Sequence, residues 1–292
     1  MVSTVSVLLL FSTLVPMQDI PAAEDPAVPQ ASPPAAAAQD PAPPVAVPAE
    51  TPEAVKKFLQ EAEAHLYDPQ AAGLKAVEFD VAIELPGIGV VGSAHVAWST
   101  DAGESVSIDR TGAKELPPGL PPEMAEDYGR KMALQVLATM LNKPISPMLE
   151  GAVATMDGVE DGLVKVSFHN AEAEKSGLKE HALFFDDAGM LQRLRTVGQQ
   201  QGINIKQTET FSWRPVKEGS LLVVAASQKS HAEMGIMAID GSTTFSYATV
   251  GEIVLATQLA ITQSSPRGPS SQTIKALNLK VNGEGVPEPA GG

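Results

Sequence analysis

Alternation between apolar and polar residues is the dominant pattern of this chain, and it predicts antiparallel β-strands. Residues 180–213 show it most clearly, because two polar turns separate three alternating segments. The first turn joins Asp186 and Asp187 to Gly189, and glycine is the residue type that adopts a positive φ most easily. The stretch therefore predicts a three-stranded meander.

A second meander is predicted over residues 77–85, 90–100 and 105–110. Its first strand alternates between apolar residues such as Phe79 and Val81 and acidic residues, which is typical of a strand with one buried face. Further strands are predicted over residues 152–156, 163–169, 221–227, 243–247, 253–262 and 272–281.

Two segments have helical spacing instead. The first helix is predicted to begin after Thr51, a good N-cap residue, and to end at the following Asp-Pro pair. The second covers residues 122–142, where Met124, Tyr128 and Met132 belong to an apolar ridge. Its methionines fit ordinary core packing, and they also fit an adaptable plug that lies on an apolar surface.

No linker-like break interrupts residues 54–281, so about a dozen strands and the two helices are assigned to one domain, residues 51–285. The spacing of the strands argues against βαβ units. The predicted fold class is mainly β (α+β), as a large curved antiparallel sheet or a half-open barrel covered by two helices. Residues 286–292 are expected to form a disordered tail.

The apolar run of residues 5–15 is too short to cross a bilayer, which takes about 20 residues, but it suits the hydrophobic region of a signal peptide. No Lys or Arg precedes it, and the alternatives are a buried N-terminal strand or a misassigned start. Residues 1–22 are therefore predicted to be a signal peptide that exports the protein to the periplasm or the extracellular space. Residues 23–50, rich in Ala and Pro, are predicted to be a disordered linker, and they fit a tolerated spacer better than a tether.

Composition limits the partners and the chemistry. The chain has 292 residues, 43% of them hydrophobic and 4% aromatic, so its core must consist mainly of aliphatic and small side chains. A formal net charge of -15 argues against nucleic acid or an anionic membrane surface, because both are bound by cationic faces. The absence of cysteine excludes disulfides, thiolate metal sites and cysteine nucleophiles.

Motifs for catalysis are weak. A Gly-x-Gly-x-x-Gly match at residues 87–92 follows a strand, but the next segment alternates instead of forming the helix that a dinucleotide site needs. A glycine-rich hairpin is therefore predicted there. Ser176 begins a Ser-x-x-Lys match without the companion motifs of a β-lactamase-like site. A serine or acid–base site assembled from distant strands remains an open alternative.

The five histidines do not occur at metal-ligand spacings. Asp157, Glu160 and Asp161 lack the spacing of a calcium loop, so a solvated turn is predicted for them. Asp186 and Asp187 are expected to form backbone hydrogen bonds in their turn. No catalytic residue, metal or cofactor is predicted, and the protein is expected not to be an enzyme.

The order of elements resembles that of the exported lipoprotein-carrier (LolA-like) superfamily over residues 51–285. The resemblance rests on the Phe-Asp-Asp-Ala-Gly-Met-Leu hairpin of residues 185–191, on Tyr247-x-x-Val250-Gly251 and on a closing Val-Asn pair. It implies a half-open barrel that wraps an apolar cavity for acyl chains, with helices over its mouth. No role of an individual residue is carried over from the superfamily.

A cavity is also expected from side-chain size, because inward candidates such as Gly92, Ala94 and Ala225 are small for so large a sheet. The residues expected to line it are Phe79, Val81, Trp98, Met124, Tyr128, Met132, Phe168, Phe185, Phe211 and Trp213.

The expected function is that of a lipid- or lipoprotein-binding carrier, a monomer that meets a transient envelope partner. The alternatives are a structural or protein-interaction domain with a closed core, and an enzyme whose site is not legible in the sequence.

Overall fold

The computed structural model describes residues 50–85, 88–110, 116, 121–142, 145–149, 151–200, 202–266 and 268–286. The predicted signal peptide lies outside the described residues, as do all but the last residue of the predicted linker and all but the first residue of the predicted tail. That first residue, Val286, donates a backbone hydrogen bond of 2.8 Å to the carbonyl of Leu279.

The fold class is confirmed, since the strands form one large, open antiparallel sheet. The strand order is β3-β2-β1-β12-β11-β10-β9-β8-β7-β6-β5-β4, and β13 pairs with β12. The strands are β1 Ala76–Leu85, β2 Gly89–Ser99, β3 Gly103–Asp109, β4 Val153–Glu160, β5 Leu163–His169, β6 Leu178–Phe185, β7 Leu191–Gln200, β8 Ile203–Pro215, β9 Val223–Met234, β10 Met237–Val250, β11 Ile253–Ser265, β12 Gly268–Val281 and β13 Glu284–Gly285.

Both meanders are confirmed, as β1–β3 and β6–β8. Gly189 has φ 77° in the turn after β6, as predicted. The glycine-rich hairpin is also confirmed, because β2 begins at Gly89 and pairs with β1.

Several strands extend beyond their predicted bounds, and β9 and β10 extend farthest. The prediction for β9 was also wrong at its start, because the strand begins at Val223 and the Leu221 side chain is 92% exposed. Backbone pairing with β8 continues to Met234, beyond the apolar alternation from which the strand was predicted. Strand length is set here by ladder hydrogen bonds between neighbours and not by burial of every alternate residue.

Helix α1 spans Glu53–Glu63, and the prediction of Thr51 as its N-cap was wrong. Pro52 occupies that position without a side-chain cap, while Oγ1 of Thr51 accepts a hydrogen bond from the Ala154 backbone N–H at 2.9 Å. The Thr51 side chain therefore ties the start of α1 to β4.

Helix α2 spans Pro122–Leu141, close to its predicted bounds, and ends at Asn142 in the left-handed conformation. Gly129 lies in its middle, where a Cβ atom would approach Cδ1 of Ile83 to 2.3 Å. Any larger residue here would require the Ile83 side chain to move, because α2 packs so closely on β1. Two short helices, α3 Ser146–Leu149 and α4 Ala171–Lys175, complete the described elements.

Buried apolar side chains form two clusters, and the cross-strand register places both on one face, here called the inner face. The first cluster joins α2 to β1, β2, β11 and β12 and is centred on Phe79, Val81, Ile83, Met132, Val136, Leu255, Leu259 and Ile274. The second cluster joins α1 to β4–β7 and is centred on Val55, Leu59, Val166, Phe168, Leu183, Phe185 and Leu194. The opposite face is called the outer face.

Candidate functional site

Nine of the ten residues predicted to line one cavity lie in two groups. Phe79, Val81, Tyr128 and Met132 are buried in the first cluster, and Trp98 packs partly buried against it. In the strand order, β1 and β2 are not neighbours of β5–β8, which carry the remaining sheet residues.

The second group belongs to the second cluster. Phe168 and Phe185 are buried there, and Phe211 and Trp213 pack partly buried against it. The rings of Phe211 and Trp213 stack with their centroids 5.7 Å apart. Met124 is 40% exposed on the first turn of α2.

Helix α2 is held on the sheet by apolar packing and by a polar link. The Tyr128 hydroxyl donates to Oε1 of Gln272 on β12 at 2.9 Å, and Nε2 of Gln272 donates to the Glu84 carbonyl at 3.2 Å. Burial raises the pKa of Tyr128, so the phenol stays protonated and remains a donor.

A row of buried polar side chains crosses the inner face beside the second cluster. This polar row consists of Thr196, Gln207, Glu209, Gln228 and Thr243. All five residues are buried, with exposed fractions of 2–7%. Nε2 of Gln207 donates to Oε1 of Glu209 at 2.6 Å.

Glu209 is 3% exposed, and burial raises the pKa of its carboxyl to about 7, although the hydrogen bond from Gln207 acts in the opposite direction. Burial also lowers the pKa of His181, whose Nδ1 lies 3.1 Å from Oγ1 of Thr196. The sequence prediction missed the polar row. The signal was present, because Gln207 and Glu209 share the strand parity of Ile205 and Phe211.

A polar pocket of about 370 Å³ lies against β4–β7 and α4. This charged pocket is lined by Asp157, Lys165, Ser167, Phe168, His169, Glu174, Leu178, Lys179, Glu180, His181 and Arg195.

Arg195 is the centre of the ion pairs around the charged pocket. It donates through both terminal nitrogens to the Glu160 carboxylate, and Nη2 also donates to Oε1 of Glu180 at 2.7 Å. Lys165 Nζ contacts the same Glu180 oxygen at 2.9 Å. These contacts hold the pKa of Glu160 below its ordinary value; burial opposes the same effect at Glu180, but the hydrogen bonds from Arg195 and Lys165 prevail.

The guanidinium groups of Arg193 and Arg195 also cover the buried Phe184 ring, at 4.1 and 4.8 Å from its centroid. The aromatic ring and the carboxylates together fix the Arg195 side chain, which is 17% exposed.

The predicted solvated turn at Asp157, Glu160 and Asp161 was wrong for its first two members. Asp157 and Glu160 lie on β4, where Asp157 Oδ2 accepts from the Ser167 hydroxyl at 2.5 Å. Asp161 does lie in the turn, with Nη1 of Arg193 at 3.0 Å from its Oδ2. The side-chain contacts of residues 157–161 could not be predicted from local spacing, because their partners come from β5 and β7.

In the turn after β6, the prediction of backbone hydrogen bonds is confirmed for Asp186. Oδ1 of Asp186 accepts from the backbone N–H groups of Ala188 and Met190, at 3.0 and 2.9 Å.

Across the residues that the structure describes, no group of three or more His, Cys, Asp or Glu side chains is placed to hold a metal ion. No helix in the described ranges has the length and apolar character to span a membrane.

No protein-family model matches the chain, and no curated protein is significantly similar to it in sequence.

Proposed function

We propose that the protein is an exported carrier that binds the acyl chain of a lipid or lipoprotein on the inner face, beneath α2. The observation that carries this proposal is the position of α2, which contacts the consecutive strands β3, β2, β1, β12 and β11. A helix laid over an open sheet covers apolar surface that a ligand can occupy when the helix shifts. The resemblance to the LolA-like superfamily supports the same arrangement.

The contact between α2 and the sheet is mainly apolar. Its buried residues include Met132 and Met140, whose unbranched thioether side chains repack more readily than branched ones. The hydrogen bond from Tyr128 to Gln272 anchors the N-terminal half of the helix. Displacement of α2 therefore exchanges apolar contacts for other apolar contacts and breaks this anchor.

The N-terminal end of α2 is the proposed entrance. Met124 is 40% exposed there, so the apolar ridge of the helix reaches solvent. Leu85, Ile88 and Ile108 pack partly buried against the same cluster. An acyl chain that enters at this end extends an apolar surface that already exists.

The hydrophobic effect is large enough for such binding without a polar motif. Burial of a methylene group contributes about 0.8 kcal/mol, so about ten methylenes contribute about 8 kcal/mol before the costs of ordering. A free energy of about 8 kcal/mol corresponds to a dissociation constant near micromolar. Movement of α2 subtracts from this gain, so micromolar affinity is the upper limit expected for a chain of this length.

The direct test is titration of the purified full chain with a fluorescent fatty acid and a fluorescent phospholipid, together with mass spectrometry of organic extracts of protein from its native host. We expect micromolar binding of a probe and co-purified lipid. If no probe binds and no lipid co-purifies, the closed-core structural domain replaces this proposal.

A substitution tests whether α2 is the moving element. Tyr128→Phe removes the hydroxyl that reaches Gln272, so the helix is expected to shift more easily and the probe to associate several-fold faster. Tyr247→Phe is the matched control. The Tyr247 hydroxyl, on β10, donates a hydrogen bond to the Ala225 carbonyl on the neighbouring strand β9, and this bond does not involve α2. Equal association rates for the two variants contradict entry beneath α2.

A further inference from the structure

The charged pocket lies apart from the proposed acyl site and has the form of a binding site of its own. Its volume of about 370 Å³ falls at the lower end of the range of small-molecule pockets. Strands β4–β7 supply all of its lining residues except Glu174, which lies on α4. A site of this size, built largely on paired strands, suits a small polar molecule.

The charges that line the charged pocket balance one another. Three are cationic and three are anionic, namely Lys165, Lys179, Arg195, Asp157, Glu174 and Glu180. Lys165 and Arg195 both contact the Glu180 carboxylate, at 2.9 and 2.7 Å. An ion that enters must compete with these resident pairs, so a ligand of single charge gains little.

Hydroxyl groups match this lining better than charged groups do. A hydroxyl donates one hydrogen bond and accepts up to two, so it can donate to a carboxylate while it accepts from an ammonium or guanidinium group. A molecule with several hydroxyls can therefore add contacts to both signs of charge without leaving either unpaired. Ser167 and His169 contribute further polar groups to the same lining.

The central charged side chains are already fixed in place. Lys165 and Arg195 are 19% and 17% exposed, and each has more than one carboxylate partner. Arg195 also lies over the Phe184 ring. Little side-chain entropy remains to be lost when a ligand binds, which is the property of a preorganised site.

We propose that the charged pocket binds an uncharged, hydroxyl-rich small molecule of the saccharide class. The carboxylates of Asp157, Glu174 and Glu180 accept hydrogen bonds from its hydroxyls, and Lys165, Lys179 and Arg195 donate to its oxygens. A zwitterion offers the same two signs of charge, but it must replace the resident ion pairs instead of bridging them.

The test is saturation-transfer NMR and calorimetric titration of the full chain with glucose, N-acetylglucosamine, maltose and a panel of neutral oligosaccharides. Glycine betaine and inorganic phosphate serve as the zwitterionic and anionic comparators. We expect at least one neutral saccharide to bind and the comparators not to bind. Binding of betaine or phosphate alone, or of no saccharide at millimolar concentration, overturns the proposal.

Two pairs of variants, at α4 and at the start of β6, locate the binding. Glu174→Gln and Lys179→Gln change residues of the lining that lie at or near the surface, and each is expected to weaken saccharide binding about tenfold, the loss of about 1.4 kcal/mol. Glu172→Gln and Lys175→Gln are the controls, since these residues pair with each other at 2.8 Å outside the lining.

The controls are expected to bind as the wild type does. Equal affinity of lining and control variants overturns the assignment of the saccharide to this pocket. The lipid titration is independent of these variants, so failure of either proposal leaves the other standing.

Discussion

At the scale of single residues, the burial of Glu209 makes the stability of the fold depend on pH. Its carboxyl keeps its proton in the folded protein up to a pKa of about 7, whereas the unfolded chain releases it near the ordinary value of 4.5. This contribution to stability is fully present below about pH 4.5, falls as the pH rises to about 7, and is then constant. The difference between the two pKa values corresponds to about 3 kcal/mol.

We therefore predict that Glu209→Gln removes this pH dependence. Urea unfolding at several pH values should show the variant gaining up to about 3 kcal/mol over the wild type between pH 4.5 and 7.5. Glu218→Gln makes the same chemical change at an exposed residue after β8 and should follow the wild type. Parallel pH profiles for Glu209→Gln and the wild type contradict the shifted pKa.

The residue scale also shows what a sequence pattern can and cannot predict. Alternation correctly predicted the burial of Phe79 and Val81, because a strand with period two reveals which residues share a face. It did not predict the bidentate pair of Arg195 with Glu160, since these residues meet only through the order of β4–β7. Pairing across several strands depends on tertiary register, which local periodicity does not contain.

At the scale of elements, the fit of α2 on β1 depends on Gly129. A Cβ atom there would lie 2.3 Å from Cδ1 and 2.7 Å from Cγ1 of Ile83, which is 1% exposed. Gly129→Ala is favoured by helix propensity by about 1 kcal/mol, but overpacking of a buried contact costs about 1–3 kcal/mol. We predict that the clash prevails and the variant is less stable than the wild type.

A double-mutant cycle tests this prediction by urea unfolding. Ile83→Val removes Cδ1 and is expected to cost about 1 kcal/mol by itself. In that background Gly129→Ala should destabilise less, because the nearest atom is absent. Additive effects of the two substitutions contradict a steric origin.

Element boundaries were predictable where the signal is local. Pro122 and Asn142 bracket α2 as a first-turn proline and a left-handed C-terminal residue do in general. The start of α1 was not predictable in the same way, because Thr51 uses its hydroxyl for β4 instead of for its own helix. A capping residue that has a tertiary partner carries no boundary information.

At the scale of the whole molecule, Tyr67 connects the two halves of the inner face. It follows α1, a helix of the second cluster, and its hydroxyl donates to the Glu252 carbonyl at 3.1 Å and accepts from the Val254 N–H at 2.8 Å. Ile253 and Leu255, beside these groups, belong to the first cluster. The Tyr67 carbonyl also accepts from Nδ2 of Asn142 at the end of α2, at 2.6 Å.

The two tryptophans report on the two halves separately. Trp98 packs against the first cluster and Trp213 against the second. In variants that retain one tryptophan each, Trp98→Phe and Trp213→Phe, fluorescence follows one cluster at a time. Coincident urea midpoints for the two variants are expected if the sheet unfolds as one cooperative unit.

We predict that Tyr67→Phe lowers the stability of the sheet and also reduces the cooperativity between its two halves. The Val254 N–H and the Glu252 carbonyl lose their partner, which costs about 1–3 kcal/mol. Because these groups join the halves, the midpoints reported by Trp98 and Trp213 should separate in the Tyr67→Phe background. Tyr247→Phe, which removes one bond between neighbouring strands, should lower stability without separating them. If Tyr67→Phe leaves the two midpoints together, the clusters are coupled through the continuous strand pairing of β8–β11 and not through Tyr67.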